Sequence, residues 1–381
     1  MTAVDWTALR GTFPTLLERS YFASQCMGPF PRGMLDDLAA YGRSLARRSR
    51  ALEEWAERWF EMHGLTEDLI GAPRGSVFLR DSATAVSAAI ASAIEPQGER
   101  RRIVMSTGDF HSIRYMWSAQ ARRGFEVVHI DANGTGHGDA ATFVSAIDER
   151  VRVVALSLVS PRSGALLDTR PIVEAARRAG ALVVIDAYQA LGVVPVDVRR
   201  IGADAIVGGF HKWVGGGGTG LAFGYVAPEV AATLEPVYPG WLGHARLLGF
   251  SDKFEPGPGA TKFQQGMAGM EPIYTSRAGL RFVLETGVEE IRRRNVALSE
   301  RILERAAERG LPVRSPLASA RRGGMICFDL PDGDKIVSSL AELGIDVDYR
   351  PGAGVRVGAH PCATEDECDR LVDHLARSRP S

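Results

Sequence analysis

The sequence predicts an α/β protein: an open, mainly parallel sheet with helices on both faces, followed by a small α+β domain. Three observations predict it. Between about residues 76 and 226, short β-branched runs alternate with helix-like stretches, the pattern of parallel strands joined by helical crossovers. Several of those runs are apolar nearly throughout, as strands covered on both faces are. Beyond residue 310, strand-like and helix-like segments alternate again.

Taken in order, Val77-Phe78-Leu79 precedes the helical pattern SATAVSAAIASAI at 82–94. RRIVMS (101–106), EVVHI (126–130) and VRVVALSLV (151–159) follow as strands. TRPIVEAARRAG (169–180) is helical, and ALVVIDA (181–187), DAIVGGF (204–210) and LAFGYV (221–226) are strands again. Glu255-Pro-Gly-Pro-Gly-Ala260 is a loop. Residues 271–308 form one or two long helices, in which Arg292-Arg293-Arg294 is a solvated face. GMICFDL, GIDVDYR and VRVGA are the strands of the last part. Ligands of such a sheet bind beyond the carboxyl ends of its strands, so the chemistry belongs just after each run.

Composition excludes several functions. The 381 residues carry 45 Lys and Arg against 46 Asp and Glu, which gives no case for nucleic-acid or anionic-membrane binding. No apolar run is long enough to cross a membrane, and the N-terminus lacks the apolar core of a signal peptide, so a cytoplasmic home is expected. The four cysteines (26, 327, 362 and 368) form no C-x-x-C pair and are expected to be reduced and mostly structural. The eight histidines form no metal-ligand cluster, so no metal is expected.

The strongest chemical signal lies in residues 181–226. Asp186 ends a buried strand, where a carboxylate is costly unless a cation or strong donor faces it. Lys212 follows another buried strand and precedes four glycines, Gly215 to Gly218. An amine among small residues at a sheet's carboxyl edge has room to form an imine with a carbonyl cofactor, and desolvation favours its reactive neutral form. A helix-capping Asp186 and a surface Lys212 are the plainer alternatives.

The segment resembles the class V aminotransferase group of fold-type I pyridoxal phosphate (PLP) enzymes, through Asp186-x-x-Gln189, Gly202-Ala203-Asp204 and His211-Lys212. The resemblance implies that Lys212 carries the cofactor as a Schiff base. It also implies that Asp186 pairs with the pyridinium nitrogen, Gln189 donates to the phenolate oxygen and His211 lies by the phosphate. Ser82-Ala83-Thr84 opens the first helix, where the family places its phosphate cup, so Ala83 and Thr84 are the donors expected there. Phe110, or alternatively His111, is expected to stack on the ring. A cofactor contact is implied for Ser160 as well.

Three segments resemble the kynureninase-like branch: YFASQCMGPFP at 21–31, Gly-Trp-Leu-Gly-His at 240–244, and Arg350-Pro-Gly-Ala-Gly-Val-Arg356-Val-Gly-Ala-His360. By that match Arg356 forks the substrate α-carboxylate, Gln25 and His360 lie by the substrate, and Trp241 approaches the cofactor or substrate. Two positions depart from the branch. His211 stands where kynureninase usually has Tyr, and Met267 where relatives carry a phosphate-binding Thr or Asn donated across a dimer interface. A thioether cannot replace that donor.

The resemblance implies a homodimer with a large PLP-binding domain over 45–265 and a small domain made of 1–44 and 266–381. The substrate would be an amino acid, a small molecule, reacting through an imine with the cofactor. Kynureninase-like Cβ–Cγ hydrolysis leads, with C–S lysis of a cysteine conjugate and transamination as alternatives. A desulfurase proper needs a mobile catalytic cysteine, for which Cys362 is the candidate. The rival from another class is a non-catalytic PLP-fold binding protein, against which the intact Asp186, Gln189 and Lys212 set argues.

Overall fold

A computed structural model describes residues 4–131, 138–247 and 249–378. Strand β1 (Ser20–Tyr21) lies outside the central sheet. That sheet is built from β2 (Val77–Arg80), β3 (Arg102–Ser106), β4 (Glu126–Ile130), β5 (Val151–Ser157), β6 (Leu182–Asp186), β7 (Ala205–Gly209) and β8 (Ala222–Val226). Its order is β2-β8-β7-β6-β5-β3-β4. Every pairing from β7 through β4 is parallel, while β8 runs antiparallel to both β7 and β2. The carboxyl ends of β2, β3, β5, β6 and β7 therefore share one edge with the start of β8.

The apolar runs are strands because both faces are covered. Along β6, Val183 and Ile185 enter one core cluster and Val184 the other; along β5, Val154 and Leu156 enter the first and Val153 and Ala155 the second. The helix Ala83–Ser92 packs Val86 and Ile90 into the second cluster, against β2, β7 and β8. The helix Arg170–Ala179 packs Ile172, Val173 and Ala176 into the first.

The long helical stretch is two helices, Met270–Thr286 and Val288–Glu308, broken at Gly287. The first lies beyond the expected boundary at 265, yet its buried residues Ile273, Tyr274, Leu280 and Val283 join the sheet's first core cluster. The second feeds Leu298, Ile302 and Ala306 into a separate cluster with the C-terminal elements. There β9 (Ile326–Phe328), β10 (Ile345–Asp346), β11 (Asp348–Arg350) and β12 (Gly354–Val357) form, with β11-β12-β9 antiparallel and β10 parallel to β1. The last helix, Glu365–Arg377, starts from Thr364 and Glu367, which cap each other's backbone reciprocally. No helix among the described residues is long and apolar enough to cross a membrane.

Candidate active site

Asp186 is the last residue of β6 and is buried. Burial pushes its pKa up, opposed by the Tyr188 N–H, which donates to Oδ1 at 2.8 Å, and by the charge of Lys212. Lys212 stands just past β7 on the same edge. Its Nζ lies 4.8 Å from the centre of the Tyr188 ring and 5.7 Å from that of Phe110. Burial pulls its pKa down to about 8, with Asp186 opposing. The Tyr188 hydroxyl sits 2.9 Å from His211 Nδ1, and burial, then the neighbouring lysine, lowers His211 to about 4. This ring-on-backbone packing requires Gly209, because a Cβ there would lie 2.1 Å from the Tyr188 oxygen.

These side chains line a cavity of about 260 Å³, whose other walls include Ser82, Ala83, Thr84, Phe110, Ser157, Gln189 and Thr219. Ser82 caps the helix by accepting the Ala85 N–H at 3.2 Å. The next backbone N–H groups, of Ala83 and Thr84, precede the first intrahelical bond, from Val86 to the Ser82 carbonyl, and belong to the positive end of the helix dipole. Gln189 is buried; its Nε2 donates to the Gln25 carbonyl at 3.0 Å, and its Oε1 accepts from Trp213 Nε1 at 3.3 Å.

A second cavity of about 670 Å³ shares Phe110, Pro161, Gln189, His211 and Lys212 with the first and adds Gln25, Cys26, Asp109, Arg162, Arg350 and Arg356. The N-terminal segment forms its wall. Gly28 donates its N–H to the His211 carbonyl at 2.8 Å, and only a glycine fits, since a Cβ would lie 2.0 Å from the Lys212 carbonyl oxygen. Gln25 Nε2 donates to the Arg356 carbonyl at 3.2 Å. Arg356 itself is buried: Nε donates to Asp348 Oδ2 at 2.6 Å, Nη2 donates to the same oxygen, and Nη1 donates to the Pro161 carbonyl at 2.9 Å. Asp109 accepts the backbone N–H groups of Ser106 and Ser157, both at 3.0 Å, while burial pushes it up to about 6.

The family model for aminotransferase class-V matches residues 35–371. The chain belongs to that family. Its sequence relatives place it on the kynureninase-like side: it is 28% identical to the kynureninase of Pseudomonas fluorescens over 78% of this chain and 72% of that one. It is also 28% identical to the kynureninase of Burkholderia pseudomallei strain 1106a, over 89% and 85%. In fold it is similar to a cysteine desulfurase from Thermococcus onnurineus (TM-score 0.85, 20% identity, 97% of each chain). It is likewise similar to the cystine C–S lyase C-DES (TM-score 0.86, 21% identity, 97% of this chain and 100% of that one). At such identity the likeness speaks for the fold, and it is the fold-type I architecture.

Pyridoxal phosphate is the cofactor of this family, and the residues of this chain fit it. A buried carboxylate that accepts a backbone N–H, an amine of lowered pKa and a helix N-terminus line one cavity. Asp186 suits the ring nitrogen, Lys212 the carbonyl carbon, and Ala83 and Thr84 the phosphate. Among the described residues no group of three or more potential ligands could hold a metal ion.

The structure gathers Gln25, Ala83, Thr84, Phe110, Asp186, Gln189, His211, Lys212 and Arg356 on the two joined cavities, with His111 on the outer one. Three residues expected there, His360, Ser160 and Trp241, are not gathered on it; Met267 was expected at a second subunit's phosphate. His360 is enclosed between Phe13 and Phe282, ring centres 4.6 and 6.0 Å away, and its Nδ1 accepts the Cys362 N–H at 3.2 Å. It is a core histidine, pushed down to about 3 by burial. Ser160 turns its hydroxyl to the N–H groups of Arg162 and Ser163, bracing its own loop. Trp241 is half exposed on a short 3₁₀ turn tied to Gln265 through the Leu242 N–H. Met267 is exposed beside a neighbouring cavity that shares Asp81, Gly220 and Leu221 with the first.

The cysteine candidate also falls: Cys362 is buried, and burial pushes its thiol up to about 12, far from a thiolate nucleophile. The cysteine that does line the outer cavity is Cys26. Sequence reasoning passed over Tyr188, although it lies two residues past Asp186 on the same edge. It also passed over Asp109 and Asp348. Asp348 stands opposite Arg356 across the hairpin that turns at Pro351-Gly352-Ala353.

Proposed function

We propose that the chain is a PLP-dependent enzyme of the kynureninase-like branch that hydrolyses the Cβ–Cγ bond of an amino acid carrying a carbonyl at Cγ. One observation carries this reading. Two of the three segments that resemble that branch, 21–31 and 350–360, meet on the cavity beside Lys212, joined by the hydrogen bond from Gln25 to the Arg356 carbonyl. The relatives named kynureninase support the same branch.

The cofactor, when bound, withdraws electrons from the substrate's α-carbon. Asp186, its burial offset by a facing cation, holds the proton on the ring nitrogen. Arg356 holds the α-carboxylate and so fixes which α-bond faces Lys212. Lys212 Nζ, with a pKa of about 8, takes the α-proton and can return it near neutral pH. Phe110 and Tyr188 flank the amine, their ring centres 5.7 and 4.8 Å from it. Addition of water across the γ-carbonyl then breaks Cβ–Cγ, releasing a carboxylic acid and alanine. The same reading takes the enzyme as a cytoplasmic homodimer, with the exposed Met267 and Trp241 surface against a second subunit.

The test is turnover of L-kynurenine, and of shorter amino acids with a γ-carbonyl, without any keto acid. Many turnovers per site, with alanine as product, are expected. A single turnover that stops until pyruvate or 2-oxoglutarate is added would replace the reading with transamination. Release of pyruvate and a thiol from a cysteine conjugate, with no alanine, would replace it with C–S lysis.

A further inference from the structure

We infer that Asp348 is a positioning residue for substrate: it grips one edge of the Arg356 guanidinium and leaves the other to take the α-carboxylate. The inference rests on the reading of Arg356 given above and adds a residue to it.

The backbone sets the pair. Asp348 and Arg356 are directly opposed in the antiparallel β11–β12 ladder, so their side chains rise from the same place on the sheet. Asp348 is largely covered, with a side-chain exposure of 13% against 8% for Arg356. The two contacts from Nε and Nη2 converge on the single oxygen Oδ2. The other oxygen, Oδ1, lies 3.3 Å from Nη2 of Arg350, which lines the same outer cavity, so a second guanidinium also holds the carboxylate.

A donor count gives the consequence. A guanidinium has five N–H groups: one on Nε and two on each terminal nitrogen. Asp348 takes the Nε hydrogen and one on Nη2, and the Pro161 carbonyl takes one on Nη1. One N–H is left on each terminal nitrogen, the number that a two-point contact with a carboxylate uses. A lone arginine could swing its fork among several rotamers; here three bonds from two separate elements fix it before substrate arrives. Gln25 adds a fourth constraint from the N-terminal segment, on the Arg356 backbone carbonyl. The substrate carboxylate therefore binds beside Asp348 and does not displace it.

The experiment compares L-alanine with ethylamine, its counterpart without the carboxylate, on the PLP-loaded protein. Each is titrated through its effect on the cofactor's visible spectrum, for the native chain, Asp348→Asn and Asp348→Glu. Asp348→Asn is expected to weaken L-alanine binding about ten- to a hundred-fold, the range for a charge-assisted contact, and to leave ethylamine and cofactor content unchanged. Asp348→Glu is expected to recover part of that loss. Thermal melting of each variant separates a folding defect from a positioning one.

Tighter L-alanine binding in Asp348→Asn would overturn the inference, because Asp348 would then be a competitor occupying the fork. An equal loss for L-alanine and ethylamine, or no loss for either, would overturn it as well. The readout is binding and not Cβ–Cγ cleavage. Failure of the proposed reaction with L-kynurenine thus shows separately from failure here.

Discussion

Replacing Arg356 with lysine separates substrate binding from cofactor binding, and its size follows from the contacts. The guanidinium spends three N–H groups on Asp348 Oδ2 and the Pro161 carbonyl and keeps two, on different nitrogens. Lysine offers three N–H groups from one atom, so once Asp348 and Pro161 are served no two-point contact with a carboxylate remains. The loss is that of one charge-assisted hydrogen bond, about 1.5–3 kcal/mol. At about 1.4 kcal/mol per factor of ten, KM should rise roughly ten- to a hundred-fold. Folding should suffer little, because a cation still faces the covered Asp348 carboxylate. Arg356→Met, which leaves Asp348 only the exposed Arg350 at 3.3 Å, should lower the melting temperature more than Arg356→Lys does. The assay pairs KM with cofactor absorbance and a thermal melt on the same preparation. Cofactor content falling in step with substrate affinity, or an unchanged KM, would remove Arg356 from the substrate site.

The remaining predictions concern the lysine, its support and the core. Burial moves Lys212 from 10.5 to about 8, so its reactive neutral form is populated as pH rises through that value. Capture of PLP by the cofactor-free protein should accelerate with a midpoint near pH 8; a midpoint near 10.5 would contradict the burial. Gly209→Ala should disrupt the site without touching the lysine, since the new Cβ would fall 2.1 Å from the Tyr188 oxygen and drive that ring off His211 and Lys212. Weaker PLP retention is expected by absorbance, and unchanged retention would show that Tyr188 has room to move. His360→Ala should lower the melting temperature by emptying the space between Phe13 and Phe282 while KM stays as it was. A raised KM with an unchanged melt would return His360 to the substrate.

Most of the central sheet was legible because its signal is local. The runs at 126–130, 181–187 and 204–210 became β4, β6 and β7 within a residue at each end, since apolar strands covered on both faces have few other folds open to them. The direction of β8 was not legible, because alternation carries no arrow; what reverses it is a return through the glycines after Lys212 with no crossover helix. Asp186 and Lys212 met because both follow parallel strands whose carboxyl ends share an edge. Arg356 was read as a free fork, and its partner Asp348 was missed, because their contact depends on hairpin register and not on either residue type. His360 shares a motif with Arg356, yet the chain leaves β12 at Val357 and carries the ring into the core. Neighbourhood in sequence did not survive the end of the strand. Trp241 and Met267 are exposed and lie off the two joined cavities, and no local pattern in the sequence marks that.

The central claim is that Lys212 holds pyridoxal phosphate opposite Asp186. It is tested most directly by reducing the PLP-loaded protein with borohydride, digesting it and locating the modified lysine by mass spectrometry. The account predicts one pyridoxyl group per chain, on Lys212, and no visible cofactor band in Lys212→Ala. A stoichiometric adduct on Lys253, Lys262 or Lys335, or a Lys212→Ala protein that keeps its band and its reducible adduct, would contradict it.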